Sequence, residues 1–205
     1  FSLQAQMLYK ISDSWTSQTA LSRSTSKSDG YYSYLFDRGN GNEFDRYITK
    51  LNAESFGTDI QQNFIGDFKI AGLRNRMVVG LDYYNSIMKD NSTGWVGLGF
   101  VSLADGSDTG NTTRPSVDNA LAASPVTKST AETETYAAYI SDVINITPTL
   151  SAMGSLRVDH FVGQVDNEKK GQTALSPKFG LLYQPLKDKL SVFANYMNGF
   201  KNILP

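Results

Sequence analysis

The residues able to do chemistry in this chain are few and scattered. Its single histidine, His160, follows Asp159 in a sequence rich in serine. A serine–histidine–aspartate reaction centre needs a nucleophile on a strained turn, and none of the serines has a nucleophile-elbow setting. The chain is therefore not expected to be an enzyme. Asp105 and Asp108 resemble part of a calcium loop, but the EF-hand spacing is missing, and they read as an ordinary acidic loop. With no cysteine, disulfide frameworks and thiolate metal sites are excluded. Gly39-Asn40-Gly41 belongs to a plain turn and not to a phosphate-cradling loop. What remains is aromatic and cationic. Tyr31, Tyr32, Tyr34 and Phe36 form one cluster, Trp95 and Phe100 lie in a later stretch, and Arg114 lies beyond them. Rigid amphipathic rings can pack on a bulky ligand, and a guanidinium attracts an anion.

Such side chains need elements to position them, and the elements read as strands. Phe1, Leu3, Ala5, Met7, Tyr9 and Ile11 alternate with Ser2, Gln4, Gln6 and Lys10, with Leu8 the exception. Successive strand side chains point to opposite faces, so the run has one apolar and one polar face. A second strand is expected from Trp15 to about Phe36, and a third from about Arg46 to Ile70. In the second half of that third strand Ile60, Phe64, Phe68 and Ile70 oppose Gln61, Asn63, Asp67 and Lys69. Its first half loses the phase, which a bulge near Gly57 or a position outside a membrane would explain. The fourth strand places Met77, Val79, Leu81, Tyr83 and Ile87 opposite Arg76, Gly80, Asp82 and Ser86. Residues 90–130 read as a long irregular loop. A fifth strand follows at about Ala131–Ile146, its facing left open. The sixth sets Leu150, Ala152, Gly154, Leu156, Val158 and Val162 against Ser151, Ser155, Arg157 and Asp159. A seventh runs from about Ala174 to Pro185, and an eighth begins at Leu190.

The connections differ in length. Short turns are expected at 12–14, 71–74, 147–149 and 186–189, and longer ones at 37–45, 90–130 and 166–173. In an up-and-down meander alternate connections share an end, so short and long would segregate. Outer-membrane barrels have this asymmetry, with short periplasmic turns and long extracellular loops. No apolar run reaches the roughly 20 residues of a membrane helix, and the chain begins at Phe1 rather than Met, as expected of an excised piece or of a chain from which a leading segment was removed. Mean hydropathy is slightly negative, as expected when half of each strand faces a polar lumen. Eleven Phe, eleven Tyr and two Trp suit strands and aromatic girdles alike. The net charge of −1 gives no argument for nucleic acid. The expected fold is all-β: an antiparallel up-and-down transmembrane β-barrel.

Several motifs in order resemble the TonB-dependent siderophore receptors of the ferrichrome or pyoverdine type. They are Val79-Gly80-Leu81-Asp82-Tyr83, Tyr136-Ala137-Ala138-Tyr139-Ile140-Ser141-Asp142, and Gly154-Ser155-Leu156-Arg157-Val158-Asp159-His160, the last with one more residue between Gly and Arg than the family pattern. Ser176 to Pro185 and Leu190 to Phe200 follow. The resemblance is strongest from Tyr136 to Phe200 and implies a plugged barrel of about 22 strands. About eight strands in 205 residues is then a little over a third of a barrel of roughly 560 residues. Residues 1–205 would be part of the barrel, without the plug domain and the C-terminal strands.

The resemblance implies a bacterial outer membrane protein that takes up a ferric siderophore, energised by the TonB complex through an N-terminal region absent here. Its partners would be that siderophore, TonB and outer-membrane lipid, with no nucleic acid. No cofactor is implied, iron entering only as the bound chelate. Tyr31, Tyr32, Tyr34, Phe36, Trp95, Phe100 and Arg114 would be the ligand candidates. The plainer roles are an interfacial girdle for the tyrosines, rings pinning the loop to itself, and a solvated arginine. Arg157 and Asp159 would line the lumen and meet the plug, or line it only, and Asp82 and Asp142 are read the same way. Asn91-Ser92-Thr93 and Asn111-Thr112-Thr113 would be chance glycosylation matches. The loops do not distinguish a siderophore from haem, cobalamin or an oligosaccharide. The strand count also fits a complete eight-stranded barrel, and the alternation fits a soluble all-β cell-surface module.

Overall fold

The computed structural model describes residues 1–126, 128–166, 168–186 and 189–201. Its elements are β1 (Ser2–Lys10), β2 (Trp15–Asp37), β3 (Glu43–Ile70), β4 (Leu73–Asp90), β5 (Val96–Ser102), α1 (Arg114–Ala122), β6 (Ser129–Thr147), β7 (Leu150–Val165), β8 (Glu168–Leu186) and β9 (Leu190–Met197). One antiparallel meander runs β1-β2-β3-β4-β6-β7-β8-β9, and β5 pairs with β3 off this path. β3 is 28 residues long, well beyond the roughly 9–11 that a spanning strand needs.

Turn chemistry sets the shortest connections. Ala71 and Gly72 take φ of 50° and 82°. Positive φ at both central residues gives a two-residue hairpin whose twist matches its strands. Pro148 and Thr149 separate β6 from β7. Between β7 and β8 the structure differs from the expected charged loop at 166–173: pairing continues to Val165 opposite Glu168. Lys169, Lys170 and Gln172 are polar because they extend a strand, not because they leave it. Of the expected turn at 186–189, Leu186 pairs with Leu190, and Lys187 and Asp188 lie outside the described residues.

The chain divides into two compact units. The first comprises Phe1–Ser24, Phe56–Ile87 and Glu132–Pro205, the second Thr25–Ser55 and Met88–Ala131.

The first unit is sheet with no packed second layer among the described residues. Its apolar side stays bare: Leu81 is 60% and Phe179 58% exposed, and Ile60, Phe64, Val158, Leu175 and Leu181 are also exposed. Each large apolar side chain left in water forgoes about 1.5–3 kcal/mol of burial. A whole face of them suits lipid. Thr19, Gln62 and Ser17 on that face bond one another. Thr19 donates to Gln62 at 2.6 Å, and the Gln62 amide donates to Ser17 Oγ at 2.8 Å and to the Asn63 carbonyl at 3.1 Å. An unsatisfied group there would cost several kcal/mol in hydrocarbon. Trp15 stacks on Phe68, centroids 5.3 Å apart. β1 and β9, at the ends of the pairing path, are exposed along their whole length.

The opposite face of the same strands is a bonded polar lattice. Arg157 Nη2 lies 2.8 Å from both Asp82 Oδ2 and Asp159 Oδ1. Its guanidinium sits 5.2 Å from the Tyr139 ring centroid. The Tyr139 hydroxyl accepts from Gln61 at 3.0 Å and donates to Asn63, which donates to Gln18 at 3.0 Å. Tyr139 reaches that far because Gly80 lies beneath it: a Cβ there would fall inside the contact distance of the ring. The facing of β6, open in the sequence, follows. Tyr139 joins Arg157 and Asp159 on the polar side, while Tyr136 packs on Tyr83 at 5.0 Å. By alternation Asp142 projects with Tyr136 and away from Arg157, which corrects its expected place in the lumen.

The second unit has what the first lacks. Ile48, Leu98, Val117 and Leu121 form a buried apolar cluster. Residues 90–130, expected to be irregular, hold β5 and α1. The helix opens at Arg114 after Thr113, and Pro115 stands in its first turn, where a residue without an N–H is tolerated. Val117 and Leu121, one turn apart, are its buried residues. This cluster also explains the lost phase of β3. Ile48 enters the core while Tyr47, on the other face, stacks on Tyr34 at 5.5 Å. Both faces are packed, so apolar residues fall on both. No bulge is required at Gly57. Thr58 meets Arg23 and Gln62 meets Thr19 four residues further on each strand, and Gly57 faces Ser24, next in the same register.

Candidate functional site

The second unit brings most of the candidate aromatic residues onto one face. Tyr32, Tyr34 and Phe36 alternate along β2 and share a side. Trp95 meets Tyr32 edge-on at 5.8 Å and Tyr34 at 4.7 Å, and Tyr34 stacks on Tyr47. Such pairs add about 0.5–1.5 kcal/mol each beyond area burial. They stay accessible: Trp95 is 48% and Tyr32 52% exposed. Phe100 lies under Arg38, 4.3 Å from the guanidinium carbon. It is placed by an irregularity in the β3–β5 ladder between Asp45 and Tyr47. Gly99, at φ 71°, supplies the conformation a bulge residue needs. Phe36 is exposed with no ring stacked on it among the described contacts.

Two candidates lie elsewhere. Tyr31, one residue from Tyr32, points to the other side of β2. There its hydroxyl bonds Asp118 of α1. Lys50 and Arg114 approach its ring at 5.7 and 5.9 Å. With Ile48, Thr112 and Val117, Tyr31 and Arg114 line a cavity of about 340 Å³. Arg114 is an exposed helix residue 3.8 Å from Asp118. Tyr47 was missed in the sequence. Its signal was the same alternation, masked by Ile48 beside it.

Ion pairs fix the frame around these rings. Arg38 Nε donates to Asp45 at 2.8 Å, and its Nη1 lies 3.5 Å from Glu43. The hydrogen bond to Asp45, then burial and the carboxylate charges, leave the Arg38 pKa raised on balance. Arg46 grips Asp108 with two bonds of 2.8 and 2.7 Å. That hydrogen bonding, then the Gly110 N–H, holds the Asp108 carboxyl below its ordinary range. The loop after β5 can double back because Gly99 and Gly110 cross closely: a Cβ on Gly110 would strike the Leu98 carbonyl. Thr49 ties the preceding segment down by donating to the Thr93 carbonyl at 2.8 Å. Among the described residues no cluster of His, Cys, Asp or Glu could hold a metal. The face offers ring surface and hydroxyls, chemistry for binding a ligand.

The model of the TonB dependent receptor-like β-barrel family matches residues 1–204. No curated protein sequence matches the chain. Among solved structures it resembles the ferric-catecholate import receptor Fiu of E. coli K12 in its open form. The TM-score is 0.78 at 15% identity, over 96% of this chain and 34% of that one. BauA, the ferric preacinetobactin receptor of Acinetobacter baumannii, gives 0.75 at 18% identity, over 95% and 29%. The ferripyoverdine receptor of Pseudomonas aeruginosa gives 0.75 at 16%, over 96% and 26%. The chain thus spans about a third or less of each receptor, and a complete eight-stranded barrel and a soluble module are both set aside. With a bare apolar face, a bonded polar face and a family match along nearly its whole length, this chain belongs to the TonB-dependent receptor-like β-barrel family of the Gram-negative outer membrane.

Proposed function

We propose that this chain is part of the barrel wall of a receptor that takes up a ferric siderophore, with the plug domain and remaining strands contributed by the rest of the receptor. The observation that carries the reading is the exposed aromatic face of Tyr32, Tyr34, Tyr47 and Trp95 on a barrel of this family. A chelate brings its iron already wrapped in oxygen ligands. Its receptor needs ring surface and hydrogen bonds, not a metal site or an enzymatic centre. Energy would come from TonB acting on the plug. The neighbours' ligands, a ferric catecholate, ferric preacinetobactin and ferripyoverdine, support the class without specifying the member.

The test is uptake of radioactive iron by cells lacking the gene for the full receptor. Restoring the gene should restore uptake of at least one ferric chelate, and only where TonB is intact. Restored uptake of haem, cobalamin or an oligosaccharide, with no ferric chelate carried, would replace the siderophore reading.

A further inference from the structure

The charges around the aromatic face specify which chelate chemistry fits it, and we infer that the ligand is an uncharged ferric trihydroxamate rather than an anionic ferric tris-catecholate. The inference rests on the siderophore reading. Within the second unit the strands of the meander, with the turn after β2, carry Lys27, Arg38, Arg46, Lys50 and Lys89. Arg46, Ile48 and Lys50 alternate onto one side of β3, the side where Ile48 enters the core under α1. Arg46 is held by Asp108, and Lys50 sits over Tyr31. Asn91 donates to the Asn52 carbonyl, which sets Lys89 opposite Glu54 and so on that same side. Lys27 stands 3.4 Å from Asp29 on its own strand. Only Arg38 follows Tyr32, Tyr34 and Phe36 onto the aromatic side. It is committed there to Asp45 at 2.7 Å and Glu43 at 3.5 Å, with its guanidinium laid on Phe100. Along these described strands the aromatic face thus carries one cation and three carboxylates, Glu43, Asp45 and, one residue on from Lys89, Asp90, and that cation is already engaged by the first two.

Chelate charge follows from the donor groups. Three singly charged hydroxamates cancel trivalent iron. Three doubly charged catecholates leave the complex at minus three. Bringing a trianion onto a surface of rings, Glu43 and Asp45 costs desolvation and like-charge repulsion with no partner to offset them. An uncharged chelate meets only ring faces and hydroxyls, which bind by contact area. The face covered by α1 shows the contrast. Lys50 and Arg114 flank Tyr31 there, but the Tyr31 hydroxyl is already bonded to Asp118.

The test uses the full-length receptor in detergent with two probes: ferrichrome, an uncharged trihydroxamate, and the ferric tris-complex of enterobactin, a tris-catecholate. Ferrichrome should bind with an affinity that changes less than about twofold between low and high salt, since no ion pair is there to be screened. Trp95→Ala and Tyr34→Ala should each weaken it by about tenfold or more, as for aromatic anchors. Lys27→Gln, at a residue paired with Asp29 on its own strand, should leave it within about threefold, and circular dichroism checks that each variant folds. Tight, salt-sensitive binding of the catecholate complex with none of ferrichrome overturns the class and leaves the siderophore reading standing. Ferrichrome binding that ignores both Trp95→Ala and Tyr34→Ala overturns the site. Binding of neither probe, with cell uptake of every ferric chelate also absent, overturns the siderophore reading itself.

Discussion

The two units solve opposite problems with the same strands. The first exposes Leu81, Phe179 and their neighbours and keeps its order in ladders and in the Arg157 lattice. The second buries Ile48, Leu98, Val117 and Leu121 beneath a helix, as a water-soluble domain does. Stability in the first should therefore depend on polar contacts and backbone fit, and in the second on apolar packing. Position by position, the comparison tells which solvent each part was built for.

The sharpest way to break that contrast is Arg157→Met. It strands Asp82 and Asp159, the latter with only 6% of its side chain exposed. Removing one partner of a buried pair costs 3–5 kcal/mol, and the partial exposure of Arg157 points to the low end, about 3 kcal/mol. The temperature at which the full receptor loses its folded gel mobility should drop clearly. An unchanged temperature would mean that the polar face is wet enough to do without the lattice. Gly80→Ala comes next, because the new methyl group meets the Tyr139 ring. Overpacking of this kind costs about 2–3 kcal/mol. Gly97→Ala is its control, since nothing lies within 4 Å of the added carbon.

Val117→Ala tests the other side of the comparison. Losing two methyl groups from the core removes about 2 kcal/mol, at roughly 0.8 per group plus the cavity. Hydrogen exchange should quicken in β5 and α1 and stay unchanged in β7 and β8. Quickening everywhere would deny that the units are separable. Acid gives the smallest effect. The Asp108 carboxyl is held low by Arg46 and the Gly110 N–H. The stability it adds is complete above the ordinary aspartate value of about 3.9 and fades as pH falls through the lower folded value. Proteolysis within 103–113 should therefore speed up below about pH 4, and Asp108→Asn should abolish that step.

What the sequence disclosed follows the same division. In the first unit one face meets apolar surroundings and the other polar ones, so period-two alternation survives. Trp15, Ile70 and Leu150 marked strand ends that the structure places within a residue or so. In the second unit both faces of β3 are packed, and the pattern collapsed where Tyr47 and Ile48 sit side by side. Residues 90–130 looked irregular because β5 is short and carries Gly97 and Gly99, while α1 buries little besides Val117 and Leu121. Pro115 after Thr113 was the available helix signal. The candidate rings were recognisable by type, but their faces were not. Tyr31 and Tyr32 are neighbours in sequence and opposites in space, and Arg114 belongs with Tyr31.

These strands are expected to cross an outer membrane, with the connections around Asn40 and Asp105 outside it and the short turns at Asp13 and Pro148 within. Because the chain has no cysteine, single cysteines report position without background in a receptor otherwise free of them. The decisive measurement is labelling of intact cells with a membrane-impermeant maleimide. Asn40→Cys and Asp105→Cys should react at once. Asp13→Cys and Pro148→Cys should react only after the outer membrane is permeabilised, and Leu81→Cys and Phe179→Cys should resist the aqueous reagent throughout. Labelling of Asp13→Cys or Pro148→Cys in intact cells, or of Leu81→Cys and Phe179→Cys by the aqueous reagent, would contradict the barrel account directly.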